Sequence, residues 1–109
     1  MSTRAVAEVF NDDGTILVTI YKHWDGYPDG FGADLEKICS KYKLVNGLGM
    51  GDNTFVSNGM GCFAATLIKT LKDDAGDVYI TLTGSRGWAE YLYKIKPNGD
   101  RIEVICEEL

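Results

Sequence analysis

The hydrophobic period of this chain changes twice, from two residues to about 3.6 and back to two, and that succession limits the folds open to it. Residues 3–10, TRAVAEVF, alternate Ala5, Ala7 and Val9 against Arg4, Val6, Glu8 and Phe10, and residues 15–22, TILVTIYK, are rich in β-branched types. Asn11-Asp12-Asp13-Gly14 between them supplies turn residues, which predicts a β-hairpin. Phe31, Leu35, Ile38, Cys39 and Tyr42 then fall at i, i+4, i+7, i+8 and i+11, one stripe of a helix over residues 31–43. Met60, Phe63, Ala64, Leu67, Ile68 and Leu71 repeat that spacing in a second helix, with Ser57 or Asn58 as N-cap and an end near Lys72.

The period of two returns in residues 77–84, DVYITLTG, where Val78, Ile80 and Leu82 share a face. It continues in residues 88–96 and, after the turn Pro97-Asn98-Gly99-Asp100, in residues 101–108, where Ile102, Val104 and Cys106 are expected to face the core. The order ββααβββ predicts an α+β fold: a mostly antiparallel sheet of about five strands with both helices packed on one face. A chain of 109 residues is one domain of ordinary size, long enough for a real core. Residues 46–61 hold five glycines and little charge, so a mobile or functional loop is expected there.

Charge and composition narrow the function classes. The formal charge of −5 argues against gripping a nucleic-acid backbone, which needs clustered Lys and Arg, but suits docking on a basic protein surface. No apolar run is long enough to span a bilayer, and Met1-Ser2-Thr3-Arg4 enters a β-like pattern without a signal peptide, so a cytoplasmic protein is expected. Cys39, Cys62 and Cys106 are odd in number and lack metal-type spacing; buried, reduced thiols are the expectation for all three. With a single histidine, no metal site is expected, and no cofactor. The phosphate-binding, nucleophile-elbow and zinc-protease signatures are all missing, so enzymatic activity is not expected.

The chemistry-bearing residues concentrate in IYKHWDGYPDGFG, residues 20–32. This run leaves a strand and feeds a helix, where Asp25, Gly26, Pro28, Asp29 and Gly30 are the residues a tight turn requires. Asp29 is placed to cap the helix start, and the backbone N–H groups there would make an anion-receptive end. Trp24 and Tyr27 are of the types used in interface hot spots and stacking platforms, and His23 brings an imidazole, the side chain most used as an acid or base. Arg4, Lys22 and Arg86 would form a phosphate or carboxylate cradle if the first strand and the turn before Trp88 approached the loop.

The N-terminal MSTRA, the YKHWDGYP run followed closely by glycine, and Thr83-Gly84 followed by Gly87 and Glu90-Tyr91-Leu92-Tyr93 ending at Ile95 together resemble a family of small phage, prophage and bacterial proteins. The matching segments are 1–5, 20–28 and 83–95, at both ends of the chain. The resemblance implies no particular activity. It does imply that Arg4, His23, Trp24, Asp25, Gly26, Tyr27, Thr83, Gly84, Glu90 and Tyr91 belong to one spatial feature.

Size, acidity and this setting are also those of anti-CRISPR and other counter-defence inhibitors. The leading expectation is therefore a non-enzymatic protein that binds a host defence protein or nucleoprotein complex. Its binding residues would be Arg4, His23, Trp24, Asp25, Tyr27, Asp29, Arg86, Glu90 and Tyr91. One rival is a small-ligand or nucleotide-binding module, which requires a pocket between the HWDGYP loop and the Thr83–Trp88 turn. The other is a hydrolase using His23 with Asp25 or Glu90. An exposed edge strand, the first or the last, would further allow a homodimer.

Overall fold

A computed structural model describes residues 3–109. The strands β1 (Ala5–Phe10) and β2 (Ile16–Lys22) form the expected hairpin, in register from Ala5 opposite Lys22 to Val9 opposite Val18. A π-helical turn, Pro28–Gly32, leads into α1 (Ala33–Lys41); two short strands, β3 (Lys43–Val45) and β4 (Val56–Asn58), then precede α2 (Gly59–Leu71). Strands β5 (Val78–Thr81), β6 (Tyr91–Asn98) and β7 (Arg101–Glu108) complete the chain. Among the described residues no helix is long and apolar enough to cross a membrane.

The main sheet has the order β5-β2-β1-β6-β7, so the fold is α+β with five principal strands and two helices. Three of its four pairings are antiparallel, as expected, but β1 and β6 run parallel, from Ala5 opposite Tyr91 to Val9 opposite Ile95. The parallel pair arises because the chain leaves the β5 edge, crosses β2 and β1 along residues 82–90, and re-enters the sheet on the far side of β1. Both helices cover one face, where Leu35, Cys39, Phe63 and Leu67 pack against Ala7, Val9, Ile20 and Ile95.

The crossover covers the other face, so β1 is buried on both sides. Val6 and Glu8, which alternate with Ala5, Ala7 and Val9, are each 1% exposed. Gly84 N–H donates to the Thr19 hydroxyl oxygen at 3.1 Å and Glu90 N–H to the Arg4 carbonyl at 2.8 Å, so residues 84–90 span the face that carries Glu8.

Other expectations shift for similar non-local reasons. The first helix begins only at Ala33, because the preceding turn is π-helical, and the N-cap position Asn58 of α2 makes no side-chain cap bond; its Oδ1 accepts the Gly47 N–H instead, at 2.8 Å. Part of the glycine-rich segment is ordered as β4, which pairs parallel to β3. Val78 is buried, but Ile80 on the same face is exposed, since β5 is an edge strand, and Leu82, expected to share that face, lies beyond the strand's end and is exposed in the crossover. Trp88 precedes β6 in the crossover and is 83% exposed. Cys39 is buried as expected, whereas Cys62 and Cys106 are exposed, one on the outer side of α2 and one near the end of edge strand β7.

Candidate functional site

The HWDGYP run connects the end of β2 to the π-helical turn, and its backbone follows from close packing. Asp25 takes a left-handed φ of 56°, and its carbonyl accepts the Phe31 N–H at 2.8 Å. Gly26 N–H donates to the Thr3 carbonyl at 2.8 Å, while its own carbonyl accepts the buried Tyr93 hydroxyl at 2.7 Å. A side chain at Gly26 would bring Cβ within 2.7 Å of both Ala5 Cβ and the Thr3 oxygen, so only glycine fits. Phe31 then drops into the core, edge-on to Tyr93 with ring centroids 5.6 Å apart.

Asp77, which the sequence did not single out, fastens the first half of the loop. Its carboxylate pairs with the Lys22 ammonium and accepts the Trp24 N–H at 3.0 Å, and its carbonyl accepts the His23 N–H at 2.8 Å. Burial raises the Asp77 carboxyl, but Lys22 and the amides of Trp24 and His23 outweigh it and hold the group below its ordinary value. Its φ of 65° is left-handed for a non-glycine residue, a conformation sustained by those three partners. The sequence places Asp77 at the start of a strand; the strand itself begins one residue later, at Val78, and the reach of Asp77 to β2 is a tertiary contact.

The predicted residues fall into three places. His23 and Trp24 lie on the Asp77 side: the His23 Nδ1 and the Tyr21 hydroxyl share a hydrogen bond of 2.8 Å, and the His23 and Trp24 rings meet edge-on at 4.9 Å. Trp24, 51% exposed, walls a cleft of about 210 Å³ with Leu71, Asp73, Asp74 and Asp77. On the opposite side of the loop, Tyr27, 38% exposed, lines a cleft of about 230 Å³ with Glu90, Tyr91 and Glu108. Arg4 joins this second group through its carbonyl. The Tyr27 hydroxyl donates to Asp25 at 3.0 Å, and that carboxylate pushes the phenol's pKa up.

Thr83, Gly84 and Arg86 form the third group, over the covered face of the sheet. Arg86 Nη2 lies 3.7 Å from Glu8 Oε2, which has no hydrogen bond and is the second residue the sequence reading missed. A continuous apolar context, Ala-Val-Ala-Glu-Val-Phe, was the available signal for a strand buried on both faces.

Several expected arrangements are corrected by these contacts. Lys22 and Arg86 sit on opposite faces of the sheet with separate carboxylate partners, so no cradle forms with Arg4. Asp29 is exposed and makes no cap bond. Nor is the helix start anion-receptive: the N–H groups of Gly30 and Gly32 are taken up by the Tyr27 carbonyl, that of Phe31 by Asp25 and that of Ala33 by Gly30. The His23 ring is partnered by a phenol rather than by Asp25 or Glu90. Thr83 to Trp88 line neither cleft beside the loop.

Comparisons with protein-family models, curated proteins and solved structures found no match. Two half-exposed aromatics stand on a backbone braced by Thr3, Tyr93 and Asp77, and each fronts a cleft walled by carboxylates. Such surroundings repel phosphate and attract cationic side chains, which also pack well on aromatic faces.

Proposed function

We propose that this protein acts by binding, as a phage- or mobile-element-type counter-defence protein that occupies a basic surface of a host defence protein or nucleoprotein complex. It resembles anti-CRISPR proteins in size, charge and setting, and on this reading it catalyses no reaction. The observation that carries the proposal is the exposure of Trp24 and Tyr27 on either side of one braced loop, with Asp73 and Asp74 beside the first and Glu90 and Glu108 beside the second. Rigid aromatics lose little conformational entropy on binding, and surrounding carboxylates steer a basic partner.

The decisive experiment is affinity capture from host lysate with wild type and the Trp24→Ala/Tyr27→Ala variant, followed by titration calorimetry on the purified partner. Both proteins would first be shown folded by circular dichroism. Expected is a basic partner, lost in the folded variant and bound more weakly as salt rises. A partner retained by that variant, or binding indifferent to salt, would sink the reading.

A further inference from the structure

The Trp24 cleft does not end at the loop. Val78 lines it and also lines a second, largely apolar cleft of about 310 Å³ formed with Ile20, Ile68, Lys72, Tyr79 and Ile80. The two make one track along the β5 edge of the sheet, carboxylate-walled at the Trp24 end and apolar beside Ile80. Ile80 is 66% exposed although it shares a face with buried Val78.

The backbone of that edge is open at one place. His23 N–H donates to the Asp77 carbonyl, and antiparallel ladders alternate, so Tyr79 and Thr81 direct their N–H and C=O groups to β2 while Val78 and Ile80 direct theirs outward. Val78 is already satisfied: its N–H donates to Gly76 at 2.7 Å and its carbonyl accepts the Lys72 ammonium at 2.9 Å. Ile80 is left with a donor and an acceptor facing away from the sheet. Lys72 is committed to Gly76 and Val78, whereas Asp73 and Asp74 make no ion pair among the described residues.

We infer that this track receives an extended segment of the partner that pairs antiparallel with β5 at Ile80, sets apolar side chains against Ile68 and Ile80, and places a following Arg or Lys between Trp24 and Asp73–Asp74. Antiparallel direction puts the basic residue C-terminal to the apolar ones. Charge complementarity selects this occupant: a basic segment is drawn to the free carboxylates, whereas a second copy of the chain brings another net charge of −5. One residue of open backbone cannot hold a segment alone, so side chains must supply the selectivity.

The inference rests on the binding reading above, and its test is separable from that one. The probes are blocked nonapeptides of alternating threonine and valine ending in two arginines, a twin ending in two glutamates, and a twin N-methylated at alternate residues. Amide shifts of the wild-type protein would be followed by NMR. Expected are shifts at Ile80 and Trp24, affinity at least about tenfold lower for the glutamate twin, a like loss on N-methylation, and loss of the arginine preference in Asp73→Asn/Asp74→Asn. Equal binding of arginine and glutamate peptides, no binding, or shifts confined to another surface overturns the inference. Should the captured partner still depend on Trp24 and Tyr27, only the track is refuted; should no partner depend on them, the binding reading itself fails whatever the peptides do.

Discussion

The Oδ1 atom of Asp77 accepts the backbone N–H of Trp24 at 3.0 Å, so a residue 53 positions downstream sets the path of the HWDGYP loop. Removing that carboxylate also releases Lys22. Asp77→Ala should destabilise by about 1–3 kcal/mol in urea unfolding. Asp77→Gly loses the same bonds but suits φ 65° better, and should cost less than the alanine.

Acid should weaken the same clip. The folded Asp77 carboxyl sits below its ordinary value of 3.8, so the unfolded chain binds the proton first. The stability it contributes is therefore complete above that ordinary value and is lost as pH falls through the lower folded value. A urea series from neutrality down into this acid range should show a fall in stability that is reduced in Asp77→Asn.

Gly26 is held between Ala5, Thr3 and Tyr93. Gly26→Ala should cost about 1–3 kcal/mol through overpacking, while Gly49→Ala, where a Cβ meets nothing within 4 Å, should be close to neutral. Tyr93→Phe strands the buried Gly26 carbonyl and should cost about 1–3 kcal/mol. Thermal and urea unfolding of the three variants would check this ordering.

Glu8 and Arg86 offer a coupled test across the covered face. Arg86→Ala leaves a carboxylate that is 1% exposed without its only ion-pair partner among the described residues, and should destabilise by about 1–3 kcal/mol. In a Glu8→Gln background the same change should be nearly neutral, since no buried charge is left behind. A double-mutant cycle measures the difference, and additive effects would refute the coupling.

The three thiols should separate by reactivity. Burial above all, with the charge of Glu36, pushes the Cys39 thiol up to about 12, whereas Cys62 and Cys106 are exposed. Under native conditions a thiol reagent should modify the latter two promptly and Cys39 only on unfolding, as mass spectrometry of the labelled peptides would show.

The five principal strands and the two helices were legible because helix stripes, turn residues and strand alternation depend on neighbours a few positions away, whereas the short β3–β4 pair was not, since its partners come together only through the fold. The stripe from Leu35 to Cys39, that from Met60 to Leu67 and the turn at Asn11–Gly14 needed nothing else. The HWDGYP run was likewise readable as a strand-to-helix loop. Its glycine requirement was not, since Gly26 meets Ala5 and Tyr93 only after β1 and β6 come together. Strand order is non-local, and from it came the parallel β1–β6 pair, the buried Glu8 under the crossover, the exposed Ile80 at the edge and the reach of Asp77 to Trp24. Local sequence determined which segments are helix or strand and where the chain turns; tertiary packing alone decided which faces are covered, because burial depends on what lies across the sheet.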